Sequence, residues 1–205
     1  MAVLFVSTAG ISWGAPKTLI IALYNYADIP QEVLDPALRV VGQVLNGVGI
    51  RPEWSFCPTG NDARETCTLH LMPEGRYVVM NIMRAQSDAM RACATCGVAV
   101  RTNTTGDIAG SAIFDSARLR GARAFAFWDK IQTLASQSRR RASLLLACVV
   151  VHEVAHTFGL KHTDRGLMHR SLSLQDLEDA VHGLAFSGTE ARQLKRAVAM
   201  LNEAP

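Results

Sequence analysis

The chain has 205 residues, of which 49% are apolar and 19% charged, with a net charge of +3. That length suits one domain with its own core, and so small a charge argues weakly against a dedicated nucleic-acid binder, which concentrates far more Lys and Arg on one face. No apolar run reaches the ~18 residues of a membrane span, so no transmembrane segment is expected.

Met1 to Ala15 is apolar and rich in small residues. It reads either as a truncated secretory signal ending near Ala15 or as an ordinary N-terminal arm, because a basic start is missing and Trp13 and Pro16 suit a cleavage site poorly. Lys17 to Tyr26 (KTLIIALYNY) is branched and aromatic and predicts a strand. Ile29 to Asn46 sets Val33, Leu34, Leu38, Val41 and Leu45 at helical spacing, with Pro36 expected to restart the helix and Gly47 to stop it. Ile50 to Cys57 predicts the next strand; strand, helix and strand at this length imply a crossover between parallel strands.

Further strands are expected at Thr68–Met72, Tyr77–Arg84, Ser111–Phe114 and Ala124–Trp128, with a loop from Ala92 to Gly106 and a connection at Arg118–Arg123. Arg141 to Phe158 predicts a helix, apolar nearly all round from Leu144 to Val151 and therefore buried centrally. The basic run Arg139, Arg140 and Arg141 is placed at the end of the preceding loop, because cations at a helix N-terminus oppose its dipole. Ser173 with Asp176, and Ser187 with Glu190, have capping-box spacing. The last helix, Gly188 to Leu201, carries Ala191, Leu194, Val198 and Leu201 on one face.

Five cysteines leave at least one without an intrachain partner. Cys148 lies in an apolar run and is expected as a buried thiol. Cys57 with Cys67, and Cys93 with Cys96, read as two short disulfide loops of an exported protein; a Cys-x-x-Cys redox or zinc element is the other reading of the second pair. Secretion or a periplasmic place is the expectation, with the cytoplasm left open.

The chemistry concentrates in residues His152 to His162, HEVAHTFGLKH. His152 and His156 are one helical turn apart on one face, where both imidazoles reach one ion. A straight helix cannot bring His162 to the same ion, so the chain must bend, and Gly159 stands where left-handed backbone is needed. Three imidazoles plus one water make an open tetrahedral zinc site. Glu153 points away from the centre of the ligand pair and is expected as the general base. By this composition the pattern arises by chance on the order of once in 10⁵ chains, which sets aside a reading of ordinary helix histidines. His70 and His182 are expected as structural or exposed residues, His169 as a neighbour or substrate contact, and Asp164 as a group orienting the imidazoles.

HEVAHTFGLKH resembles the HExxHxxGxxH signature of the metzincin zinc peptidases, and Gly166-Leu167-Met168 resembles their Met-turn, with Met168 at its apex. Spacing is nearest to the matrixin branch, where Thr163 replaces the usual Ser. The sharp match covers Val151 to Met168. His169 and Arg170 stand where a metal-binding tyrosine follows in some members, no matrixin-style calcium loops are seen, and the segment before the first strand is short for an inhibitory propeptide.

The resemblance implies an α+β fold: a mixed twisted sheet with an antiparallel edge strand, a long active-site helix and a small helical C-terminal lobe. It implies a single metalloprotease domain over 1–205, with lobes at 17–162 and 163–205. It also implies Zn2+ on His152, His156 and His162, and hydrolysis of an extended peptide or protein substrate that pairs with an edge strand near Asp107–Phe114. Two other readings stand beside the peptidase: a zinc-stabilised peptide-binding module without turnover, and a zinc amidohydrolase acting on a non-protein substrate.

Overall fold

The computed structural model describes residues 17–59, 67, 77–85, 109–113, 123–136, 138–170 and 185–203, the last three without their side chains. Strand β1 (Lys17–Asn25) leads through helix α1 (Gln31–Gly47) to β2 (Ile50–Cys57). Then come β3 (Tyr77–Met83), β4 (Gly110–Ile113), β5 (Arg123–Phe127), α2 (Trp128–Leu134), α3 (Arg139–Thr157) and α4 (Gly188–Glu203). The expectations for Met1–Ala15, Thr68–Met72, Ala92–Gly106, His70, Cys93, Cys96, Ser173 with Asp176, and His182 lie outside the described residues.

The strands form one sheet in the order β2-β1-β3-β5-β4. β1 runs parallel to both β2 and β3, β3 is parallel to β5, and β4 is antiparallel to β5. The crossover and the antiparallel edge strand of the expected α+β fold are thus both present. Alternation decides what each face meets. Leu19, Ile21 and Leu23 of β1, with Val78, Met80 and Ile82 of β3, join the main core with α1 and α3. On the opposite face, Ala22, Val79 and Cys57 form a smaller cluster with Tyr24, Tyr77 and Cys67. A disulfide joins Cys57 to Cys67.

α1 buries the expected stripe, Val33, Leu34, Leu38, Val41 and Leu45, against that core. Two details differ from expectation. Pro36 lies inside one continuous helix; the carbonyl it leaves without an amide donor belongs to exposed Glu32, where water can take its place. Gly47 is the last helical residue, and the left-handed residue that closes the helix is Gly49, φ +78°, whose amide bonds the Asn46 carbonyl at 2.9 Å.

Trp128 begins helix α2 instead of ending β5. The arginine run also differs: Arg139, Arg140 and Arg141 form the first turn of α3. Ser138 caps that turn, its hydroxyl 3.5 Å from the Arg141 amide. All three arginines are exposed, so water screens their opposition to the dipole, and Arg139 pairs with Glu32 at 3.5 Å. Beyond this turn α3 is buried on all sides, packed by α1, α2 and strands β3 to β5. Among the described residues no helix is long and apolar enough to cross a membrane.

Candidate metal centre

The buried part of α3 ends at the histidines. His152 is buried, His156 half-buried and His162, past the helix, exposed. The bend between them is a Schellman turn: the Gly159 amide bonds the His156 carbonyl at 2.9 Å and the Leu160 amide bonds the Ala155 carbonyl at 3.3 Å. Gly159 takes φ +77°, the conformation its lack of Cβ permits. Leu160, 3% exposed, anchors the turn in the core. The chain then reverses and His162 meets the helix pair from below the bend.

The Nε2 atom of His156 lies 2.9 Å from that of His152 and 3.1 Å from that of His162. The ring of His156 stands edge-on to the other two, at 82° and 86°. The outward nitrogens are held by main chain: Nδ1 of His152 is 2.8 Å from the Leu167 carbonyl, and Nδ1 of His156 is 2.7 Å from the Leu160 carbonyl. A carbonyl only accepts, so each Nδ1 carries the hydrogen and each Nε2 presents a lone pair inward. Lone pairs at such separations repel unless a cation lies among them. Ligand nitrogens 2.0–2.1 Å from a tetrahedral zinc sit about 3.3–3.4 Å apart, within a few tenths of an ångström of the spacing seen here. The three histidines are the group of potential ligands among the described residues that can hold a metal ion.

Electrostatics favour the neutral, ligating form. Burial pushes His152 down to about 4, against the Leu167 carbonyl and the Glu190 carboxylate, which favour its charged form. Burial also lowers His156 and His162; the His156, Arg170 and His169 charges add to the fall at His162. His169 therefore stands near the cluster, as expected. Asp164 does not orient the rings: it is exposed, and the Leu160 and Leu167 carbonyls do that work.

Glu153 follows His152 on α3 and is 7% exposed. Burial pushes its carboxyl up to about 8. A neighbouring divalent cation favours the charged form and draws such a group back down. The side chain packs against the edge strand: a Cβ built on Gly110 would lie 2.6 Å from Glu153 Oε1 and 2.7 Å from Val149 Cγ1. β4 therefore lies directly over the carboxylate. Sequence reasoning missed Gly110, since a single glycine in a short strand carries no sign of what it faces.

Met168 is fully buried in the turn that follows His162. Its carbonyl accepts from the Thr163 amide at 3.0 Å, and the His169 amide closes on the Gly166 carbonyl at 3.0 Å. With Leu167 bound to His152, this one turn is tied to His152 and to Thr163, the residue after His162.

No protein-family model matches the sequence, and no curated protein matches it. Solved structures do. An archaemetzincin from Methanopyrus kandleri superposes with a TM-score of 0.53 at 16% identity, over 91% of this chain and 99% of that one. A zinc-dependent peptidase from Methanocorpusculum labreanum gives 0.54 at 12% identity, over 85% and 99%. Metalloproteinase-II from Bacteroides fragilis gives 0.53 at 13%, over 89% of this chain and 53% of that one. At such identities the likeness shows the fold: this chain has the architecture of zinc peptidases.

Proposed function

We propose that the chain is a zinc-dependent peptidase of metzincin type, in which His152, His156 and His162 hold the ion and Glu153 is the general base. The observation that carries this reading is the convergence of three Nε2 lone pairs, with the two helix ligands fixed through Nδ1 by main-chain carbonyls. The fold shared with zinc peptidases supports it. No matrixin stands among these neighbours, so the reading stops at the wider metzincin type.

Zinc, when bound, supplies Lewis-acid chemistry, lowering the pKa of water and polarising a carbonyl. Glu153 takes the proton of the attacking water and returns it to the leaving amine. Its burial under β4 keeps bulk solvent from competing for that proton. The turn carrying Met168 is read as the Met-turn, a packed base that holds His152 and Thr163. The division into lobes at 17–162 and 163–205 belongs to the same reading.

Among the described residues β4 is one of the two edges of the sheet, and the one that runs antiparallel to its neighbour. An extended peptide pairing with it would lie beside Glu153, which supports a peptide or protein substrate. Secretion or a periplasmic place is supported by the Cys57–Cys67 disulfide, a bond of oxidising compartments.

The test compares zinc-loaded wild type with Glu153→Gln on a broad peptide library read by mass spectrometry. Wild type should cut peptide bonds, and the variant should keep one zinc per chain while losing cleavage. A zinc-loaded wild type that binds peptides without cutting them would replace the enzyme with a binding module. Release of acyl groups from non-protein amides alone would make it an amidohydrolase.

A further inference from the structure

His162 is the most exposed of the three ligands and the only one outside a helix, so packing alone does not fix it. Its loop is instead gripped by the C-terminal helix. Glu190, in the first turn of α4, is only 6% exposed. Its Oε1 lies 2.9 Å from the hydroxyl of Thr163, the residue after the ligand, and its Oε2 accepts from the Ser187 amide at 2.7 Å. The Ser187 amide donates to the carboxylate, and the single Thr163 hydroxyl hydrogen is shared between Glu190 Oε1 and the Arg165 carbonyl, also 2.9 Å away. One helical turn on, Gln193 Nε2 donates to the Gly159 carbonyl at 3.3 Å. α4 thus holds the ligand loop at its start and at its end. Leu194 and Val198, both fully buried, fix α4 itself in the core.

The sequence marks Glu190 as half of a capping box, and it does cap: the Glu190 amide lies 3.3 Å from the Ser187 hydroxyl. A cap needs only one carboxylate oxygen. The other reaches Thr163, the neighbour of His162, from 27 residues away.

We propose that Glu190 is a positioning residue for the metal centre: through Thr163 it holds His162 in place for the ion. This rests on the zinc reading above. Groups that hold a ligand from behind typically alter metal affinity about 10–100-fold.

The test is the zinc dissociation constant of the full chain, measured by competition with a chromophoric chelator and needing no turnover. Glu190→Ala is expected to weaken zinc about 10–100-fold. Thr163→Val should weaken it in the same direction, Thr163→Ser should restore wild-type affinity, and the double variant Glu190→Ala/Thr163→Val should be no weaker than the worse single one. Ser187→Ala separates capping from positioning: it lowers the melting temperature and leaves zinc affinity unchanged. If Glu190→Ala does not fold, Thr163→Val at an exposed position carries the test. Zinc affinity within about twofold of wild type in every folded variant overturns the proposal. A wild type that takes up no stoichiometric zinc is a different failure, seen before any variant is made, and ends the metal reading itself.

Discussion

Gly110 of the edge strand β4 and Glu153 of helix α3 are in such close approach that one added methyl group would overlap the carboxylate, 2.6 Å from Oε1 and 2.7 Å from Cγ. Neither neighbour yields easily. Gly110 is locked opposite Ala126 in the β4–β5 ladder, and Glu153 stands on a helix buried on all sides. Gly110→Ala should therefore destabilise the fold by about 1–3 kcal/mol, as overpacked cores do. It should also displace the carboxylate, so that kcat falls while one zinc per chain is retained. Thermal melts, metal analysis and steady-state kinetics check this; an alanine variant with wild-type melting and turnover would show that the strand moves aside freely.

Zinc-free stability should depend on pH in a definite direction. Glu153 is raised from its ordinary 4.5 to about 8, so the folded state keeps a proton that the unfolded chain has released, and stability falls as pH rises between those values. His152 works oppositely: lowered from 6.5 to about 4, it makes stability rise with pH through that range, and the lowered His156 and His162 add to the rise. Above 6.5 these imidazoles are neutral in both states, leaving Glu153 among the described residues to act up to about 8. Urea unfolding of zinc-free protein should show a decline across this window, absent in Glu153→Gln. A flat wild-type profile would contradict the burial assigned to this carboxyl.

Metal removal should be felt by the whole fold. Zinc that binds only the folded chain stabilises it according to its concentration over its dissociation constant. A chelator is expected to lower the melting temperature, zinc to restore it, and His152→Ala, His156→Ala and His162→Ala each to abolish stoichiometric uptake. Calorimetric scans with and without zinc decide the matter, and identical scans would count against a site shared by these three rings.

Cys148 should be chemically silent. Burial pushes its thiol up to about 12, so almost no thiolate forms at neutral pH. Iodoacetamide followed by peptide mass spectrometry should find Cys148 unmodified in the native protein and alkylated after denaturation. Labelling in the native state would mean that the middle of α3 opens readily.

Much of this arrangement was legible in the order of residues, because it depends on neighbours along the chain. The period of Val33, Leu34, Leu38, Val41 and Leu45 specifies α1 and the face it buries. The four-residue step from His152 to His156 puts two imidazoles on one side of α3, and Gly159 licenses the bend that returns His162 to them. A local rule fails where solvent takes the place of the missing partner. Helix propensity and the dipole alone argue against Pro36 and Arg139 to Arg141 inside helices, and exposure of Glu32 and of the three arginines to water makes both tolerable there.

Chain order therefore determined which residues can hold a metal ion and the helical frame that pairs two of them. Only the folded molecule decided what encloses them: Gly110 laid over Glu153 from 43 residues upstream, the Leu167 carbonyl turned toward His152, and Glu190 reaching back to Thr163. The physical reason is that spacing along a helix or turn is set by covalent geometry within a few residues, whereas a contact across the molecule exists only after sheet and helices have packed, and no local pattern of side chains encodes which partner the packing will supply.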